Sequence, residues 1–284
     1  MAAVLDPLIA LAPRMTEWRH RIHAWPELGF EEERTSALVA EVLTGLGLDV
    51  HTGLGGTGVV AVIDSGKPGM SIGLRADMDA LPMDEQSDLP FRSQRPGVAH
   101  TCGHDGHTSA LLGTAQYLVA HPPATGRVVL IFQPAEEGGR GAIKMVEDGL
   151  FTRWPCDEVY AFHNMPALKG GEASVRTGAT LQSLAVFEIE IEGVGGHAAA
   201  PHRANDPLQV AARLAVEISA IVGRHIDPME AALINVGKLQ AGTTHNIIPS
   251  TASLSGTMRS LSKDVHEELL KRLRALCDGH AQIS

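Results

Sequence analysis

The stretch Val128-Val129-Leu130-Ile131-Phe132-Gln133-Pro134-Ala135-Glu136-Glu137 decides how the first half of the chain is read. Five consecutive apolar residues leave the strand no wet face, which suits a sheet covered by helices on both sides. Working outward, Val59–Ile63 and Met70–Leu74 form two similar runs, parted by Gly66, Pro68 and Gly69, and Glu158–Phe162 forms another. Helical spacing falls between them. Leu38, Val39, Val42, Leu43 and Leu46 mark a helix over 31–46, with Gly47 placed to end it, and further helices fit 107–120 and 142–150. Buried runs alternating with helices predict an α/β domain built on a mostly parallel sheet.

Near residue 181 the pattern changes. In Val186–Glu192 the acids Glu188, Glu190 and Glu192 interleave with Phe187, Ile189 and Ile191, so one face is wet and the sheet is antiparallel. A helix at 206–223, strands at 231–238 and 251–259 and a helix at 263–277 follow. This β-α-β-β-α order is one strand short of a ferredoxin-like unit. The expected division is therefore a first, α/β domain over 1–181 and a second, α+β domain over 182–284. Its last strand is expected to begin where the chain stops, at Gln282-Ile283-Ser284; a three-stranded variant is the alternative.

Composition removes several function classes. With 44% apolar and 20% charged residues the chain is not of the disordered class. Lys and Arg total 23 against 33 Asp and Glu, a formal net charge of −10 that argues against a sequence-independent nucleic-acid binder. No apolar run approaches the 18 or so residues of a membrane span. Asp6 and Pro7 stand where a signal peptide would be basic and then apolar, so a cytoplasmic protein is expected. Cys102, Cys156 and Cys277 have no C-x-x-C spacing, and fourteen histidines are the unusual feature.

Parallel strands would bring Asp77 and Asp79, Glu136 and Glu137, and His163 to one rim, where ligands bind in open α/β sheets. The run His100-Thr101-Cys102-Gly103-His104-Asp105-Gly106-His107 precedes a helix and offers thiolate, imidazole and carboxylate, the protein ligands of zinc and related metals. Adjacent Glu136 and Glu137 can divide the work, one binding metal and the other accepting a proton from water. A solvated acidic turn and a helix capped by Asp105 or Thr108 are the plain alternatives. Gly53-Leu54-Gly55-Gly56-Thr57-Gly58 fits a dinucleotide fingerprint but precedes a strand, and Gly69-Met70-Ser71-Ile72-Gly73 fits a nucleophile elbow with Ser71 inside one. A Cys102 nucleophile assisted by His104 is conceivable, although metal coordination accounts better for the neighbouring histidines and acids.

At these residues the sequence resembles the dinuclear-metal aminoacylase/carboxypeptidase family, and within it the amidohydrolase branch of hippurate hydrolases and N-acyl-amino-acid amidohydrolases. The stretches that carry the likeness are His23–Leu28, Leu74–Pro82, His100–His107, Gln133–Gly138, Phe162–Pro166, Gly195–His202, Thr244–Pro249 and Gly256–Arg259. The resemblance implies two divalent metal ions (zinc, manganese, cobalt or nickel) held by Cys102, His104, Glu137 and His163, with Asp79 supporting the ligands from behind. It implies hydrolysis of the amide bond of a small N-acyl amino acid by a metal-activated water, with Glu136 as general base and His197 as oxyanion donor. Residues 1–181 would be the catalytic domain and 182–284 an inserted lid or dimerisation domain; Asn246 and Arg259 would hold the substrate, and a homodimer would form through the lid. Family members run longer and supply a further histidine ligand beyond residue 284. A non-catalytic metal-binding paralogue of the same fold is the alternative.

Overall fold

The apolar run becomes the centre of a five-stranded sheet in the computed structural model, which describes residues 2–283. Its strands are β1 (Val50–Leu54), β2 (Gly58–Asp64), β3 (Ser71–Asp77), β4 (Arg127–Gln133) and β5 (Glu158–Ala161), in the order β1-β2-β4-β3-β5. β3, β4 and β5 are mutually parallel, β2 opposes β4, and β1 opposes β2, so β2 alone runs against the others. Connection length explains the exception. A parallel crossover needs a dozen or more residues, and the links 55–57 and 65–70 are too short. The glycine-rich fingerprint is the β1–β2 hairpin turn, with Gly55 and Gly56 at φ 62 and 100, and Ser71 opens β3 with its Oγ accepting from Arg127. Neither forms the ligand or nucleophile turn its pattern suggests.

Alternate residues of β4 serve two cores. Leu130 and Phe132 pack with Trp18, Ile22, Leu43, Val59 and Leu112 beneath α1 (Ala2–Ala24), α2 (Glu33–Gly45) and α3 (His104–Ala120). Val129 and Ile131 pack with Leu54, Met145 and Trp154 beneath α4 (Gly141–Glu147) and α5 (Leu150–Arg153). The sequence reading omitted α1, which carries Pro7 and Pro13 within it, and β1. The apolar run 158–162 predicts a covered strand, and the structure differs. β5 is an edge strand with one neighbour, and all four of its residues are exposed. The helix expected from 107 starts at His104 instead, because left-handed Gly103 (φ 86) turns the chain into it without a side-chain cap.

The chain divides into two compact units, Met1–Lys169 and Gly170–Ser284, and the second has its own core. The stretch 170–182 carries no helix or strand. Strands β6 (Ser183–Glu192), β8 (Ala232–Ala241) and β10 (Thr251–Ser260) form an antiparallel sheet in the order β6-β10-β8, and β7 (Gly196–His197) pairs with β9 (Ile247–Ile248). Phe187 is buried, and Ile189 and Ile191 pack with it against Leu214, Ile218, Leu269 and Leu273 of α6 (Pro207–His225) and α7 (Lys263–Ile283). Gln282 and Ile283 lie in α7, not at the start of a strand. Among the described residues no helix is long and apolar enough to cross a membrane.

A buried ionic clasp ties α1 to α3. Asp105, fully buried, accepts from Arg19 Nε at 3.0 Å and His23 Nδ1 at 2.8 Å, and His23 Nε2 meets Glu85 at 3.1 Å. Burial alone would raise the Asp105 carboxyl, but the His23 bond and nearby positive charge bring it down to about 2. A carboxyl depressed in the folded state contributes stability that is present above its unfolded value and lost as pH falls through the folded value. Asp105→Asn should therefore destabilise the chain near pH 6. The gap from the native chain should narrow as pH falls from about 4 toward 2. Urea unfolding followed by tryptophan fluorescence reads this unit alone, since Trp18, Trp25 and Trp154 all lie in it; a gap that stays constant would show the clasp is not ionic.

Candidate active site

Because β3, β4 and β5 are parallel, their carboxyl ends share one rim. Asp77 ends β3 and Asp79 follows; Glu136 and Glu137 follow β4; His163 follows β5. The first turn of α3 adds His104, with Cys102 just ahead of Gly103. A side chain at Gly103 would need a Cβ 2.7 Å from the Asn164 amide, so glycine is required there by space as well as by φ.

His104 is fully buried, and neither ring nitrogen has a hydrogen-bond partner. Its Nε2 lies 3.6 Å from Asp77 Oδ2 and 3.9 Å from both Glu136 Oε2 and Glu137 Oε1. Its Nδ1 lies 3.3 Å from Asp79 Oδ1. Ligand atoms of Cys102, His104 and His163 come within 4.8 Å of one another, and so do those of His104, Glu136 and Glu137. Cys102 Sγ and His163 Nε2 are 3.5 Å apart. Donors about 2.0–2.3 Å from one tetrahedral metal stand roughly 3.3–3.8 Å from each other. A buried imidazole with no partner, ringed by a thiol and acids at such spacings, fits a divalent metal, and the mixed sulfur, nitrogen and oxygen set suits a transition ion.

Tautomers follow from the backbone. His163 Nδ1 donates to the Asn164 carbonyl at 2.8 Å, which leaves the Nε2 lone pair facing Cys102. Asp77, His104 and His107 also converge, but His107 has both nitrogens engaged. Nδ1 bonds Asp77 at 2.6 Å, and Nε2 accepts the Asn164 N–H at 2.9 Å. His107 therefore locks Asp77 and the His163 loop together. The sequence places Asp77 at the rim and His107 in the His100–His107 run without giving either a role, and it gives none to Asn164. The signal available for His107 was its i+3 spacing from His104, which puts both on one helix face.

Charge is unevenly shared. Burial raises Glu136, and the Glu137 charge raises it further. For Asp77 burial acts upward, but the His107 bond and the charges of Arg75 and His104 bring it to about 2. Burial lowers His104, yet Asp79 and Asp77 lift it above its ordinary value. Asp79 sits lower than an ordinary carboxyl although burial opposes this, because His104 and the N–H groups of Glu137 and Glu136 face it. Those two N–H groups donate to its oxygens at 2.9 and 3.0 Å. Asp79 thus faces both the His104 ring and the backbone of the acid pair.

In the second unit, His197 lines a cleft with Gly195, Gly242, Ile248 and Pro249. The Ala199 N–H donates to His197 Nδ1 at 3.1 Å, so a neutral ring carries its proton on Nε2 and presents a donor. Asn246 is close by, its carbonyl accepting from Ala198 N–H and its side chain from Thr244 Oγ1. Arg259 is exposed on β10, opposite Leu184 and Leu233, and is not among the residues lining that cleft.

Comparison with known proteins bears on the fold and on the family. A family model described as peptidase family M20/M25/M40 matches residues 73–275. The hippurate hydrolase of Campylobacter jejuni is 41% identical over 98% of this chain and 73% of its own length. The N-acetyl-L-cysteine deacetylase of Bacillus subtilis is 39% identical over 95% of this chain and 65% of its own. Among solved structures, the Bacillus subtilis YXEP protein, a dinuclear metal-binding peptidase of the M20 family, superposes with a TM-score of 0.80 at 32% identity. That match covers 96% of this chain and 71% of the other.

Burial pushes the Cys102 thiol up, and Glu137 and neighbouring acids push it further, to about 12. Such a thiol is a poor free nucleophile. In metal-free protein at pH 8–9, iodoacetamide should label Cys102 at least about tenfold more slowly than a small free thiol, read by peptide mass spectrometry. Faster labelling would show an activated thiolate and return the cysteine nucleophile to consideration.

Proposed function

The chain belongs to peptidase family M20/M25/M40, and from that premise we propose that it hydrolyses the amide bond of small N-acyl amino acids. The observation that carries this reading is the buried, unpartnered His104 ring facing Cys102, His163, Glu136 and Glu137. Support for the substrate class comes from the relatives, one a hippurate hydrolase and one an N-acetyl-L-cysteine deacetylase.

In this reading Cys102, His104, Glu137 and His163 hold two divalent ions, with Asp79 fixing the His104 ring and the acid pair. Bound divalent metal supplies Lewis acidity and lowers the proton affinity of water. Glu136 accepts the proton of the attacking water and passes it to the leaving nitrogen. A carboxyl raised by burial and by Glu137 is better matched to both steps than an ordinary one. His197 donates Nε2–H to the developing oxyanion, Asn246 orients the substrate, and Arg259 pairs with its carboxylate. The second unit also forms the homodimer contact.

The test is turnover of a panel of N-acyl amino acids, hippurate and N-acetyl derivatives included, by chain loaded with zinc, manganese, cobalt or nickel. Chelation should abolish hydrolysis. Glu136→Gln should keep its metal content while kcat falls by about 10² or more, the scale of a lost acid–base group. Undiminished turnover after complete metal removal, or in Glu136→Gln, would overturn the reading.

A further inference from the structure

The backbone that carries Glu136 is turned in a direction alanine disfavours. Ala135 is fully buried at φ 47, in the left-handed region. Such a conformation persists only where its surroundings over-determine it. Glycines make the room: a Cβ at Gly29 would lie 2.9 Å from the Ala135 methyl, and one at Gly139 would lie 2.6 Å from it.

A second carboxylate holds the turn from the other side. Glu32 is fully buried, its Oε1 accepts the Ala135 N–H at 2.8 Å, and its Oε2 accepts the Thr57 hydroxyl at 2.5 Å. With Asp79 accepting the next two N–H groups, three consecutive backbone donors, 135 to 137, each end on a buried carboxylate oxygen. Position makes the Glu32 contact informative. It occupies the N-cap position of α2, where a carboxylate normally bonds the free N–H groups of its own helix, yet its side chain makes no cap bond. Glu27 caps in its place, accepting from Arg34 N–H at 3.0 Å and Thr35 N–H at 2.9 Å. The Glu32 carboxylate is thereby free to reach across to Ala135.

We propose that Glu32 is a positioning residue that fixes the left-handed turn at Ala135 and so aims Glu136. This rests on the reading of Glu136 as general base, and it goes beyond that reading in naming what holds the base. Glu32→Ala leaves the Ala135 N–H buried without an acceptor, whereas Glu32→Gln keeps an amide oxygen there. Amide hydrogen exchange at Ala135 reads the clamp without any turnover. Exchange should speed up by about tenfold or more in Glu32→Ala and stay near native in Glu32→Gln, a lost bond set against a kept one. In metal-loaded chain, Glu32→Ala should lower kcat by about tenfold or more with KM within about twofold, and Glu32→Gln should restore most of it. In a Glu136→Gln background, Glu32→Ala should cost nothing further, because it acts through the group already removed. An equal loss in both backgrounds, or unchanged Ala135 exchange in Glu32→Ala, overturns the proposal. If Glu32→Ala does not fold, Thr57→Val removes only the hydroxyl that steadies Glu32 and should give a smaller change of the same sign. No change in Ala135 exchange there overturns the proposal equally. If Glu136→Gln alone leaves turnover intact, the base assignment fails, and the exchange result still decides the clamp.

Discussion

Crowding four carboxylates around one buried imidazole is the constraint on which the first unit, Met1–Lys169, depends. Asp77, Asp79, Glu136 and Glu137 all approach His104 to within 3.9 Å. Asp77 and Asp79 are buried while Glu136 and Glu137 reach solvent; like charges repel more strongly where they are buried, so positive charge between them offsets the cost. Without metal the chain has two sources of it, Arg75 beside Asp77 at 2.7 Å and a His104 ring lifted toward its protonated form. A divalent ion would do the same more completely and would need the proton to leave, the usual coupling of metal binding to proton release.

Precision in the site comes from the ends of regular elements. Three parallel strands set the spacing of the acids and His163, and the start of α3 sets His104. Where irregular backbone intervenes, polar side chains tie it down. His107 joins Asp77 to Asn164, and Asp79 takes both N–H groups of the acid pair. Small departures from regular geometry, at Gly103 and Ala135, lie next to the residues they aim.

Much of this was legible in the sequence because it rests on local pattern. The unbroken run Val128–Phe132 announced a strand covered on both faces, and the alternation in Val186–Glu192 announced one covered on a single face. Both outcomes follow from side-chain period alone. The rim was legible too, since acids and histidine directly follow apolar strands. What stayed hidden depends on distant partners. α1 carries two prolines, and its fixed place comes from Arg19 and His23 meeting Asp105 far along the chain. β5 looked like a covered run because exposure of an edge strand is a property of the sheet order. Asn164 gave no separate signal, because its role is a contact with His107 across 57 residues. The two glycine patterns misled only as motifs; their context, a glycine run before a strand and a serine within one, already excluded them.

An acidic chain would ordinarily be read as one with a solvated negative surface. Several of its carboxylates do something else. Glu27 and Glu32 are buried and accept backbone N–H groups of α2 and of the turn before Glu136, and Asp79 accepts the two that follow. Loops that must hold a special shape have no ladder partner for their donors, and a buried donor left unpaired is costly. A carboxylate answers this well, because it offers two oxygens and bonds N–H more strongly than a neutral acceptor does. The same chemistry that would hold a metal in this unit therefore also shapes the backbone around it. An acid in this chain can only be assigned to one use or the other by the atoms it faces.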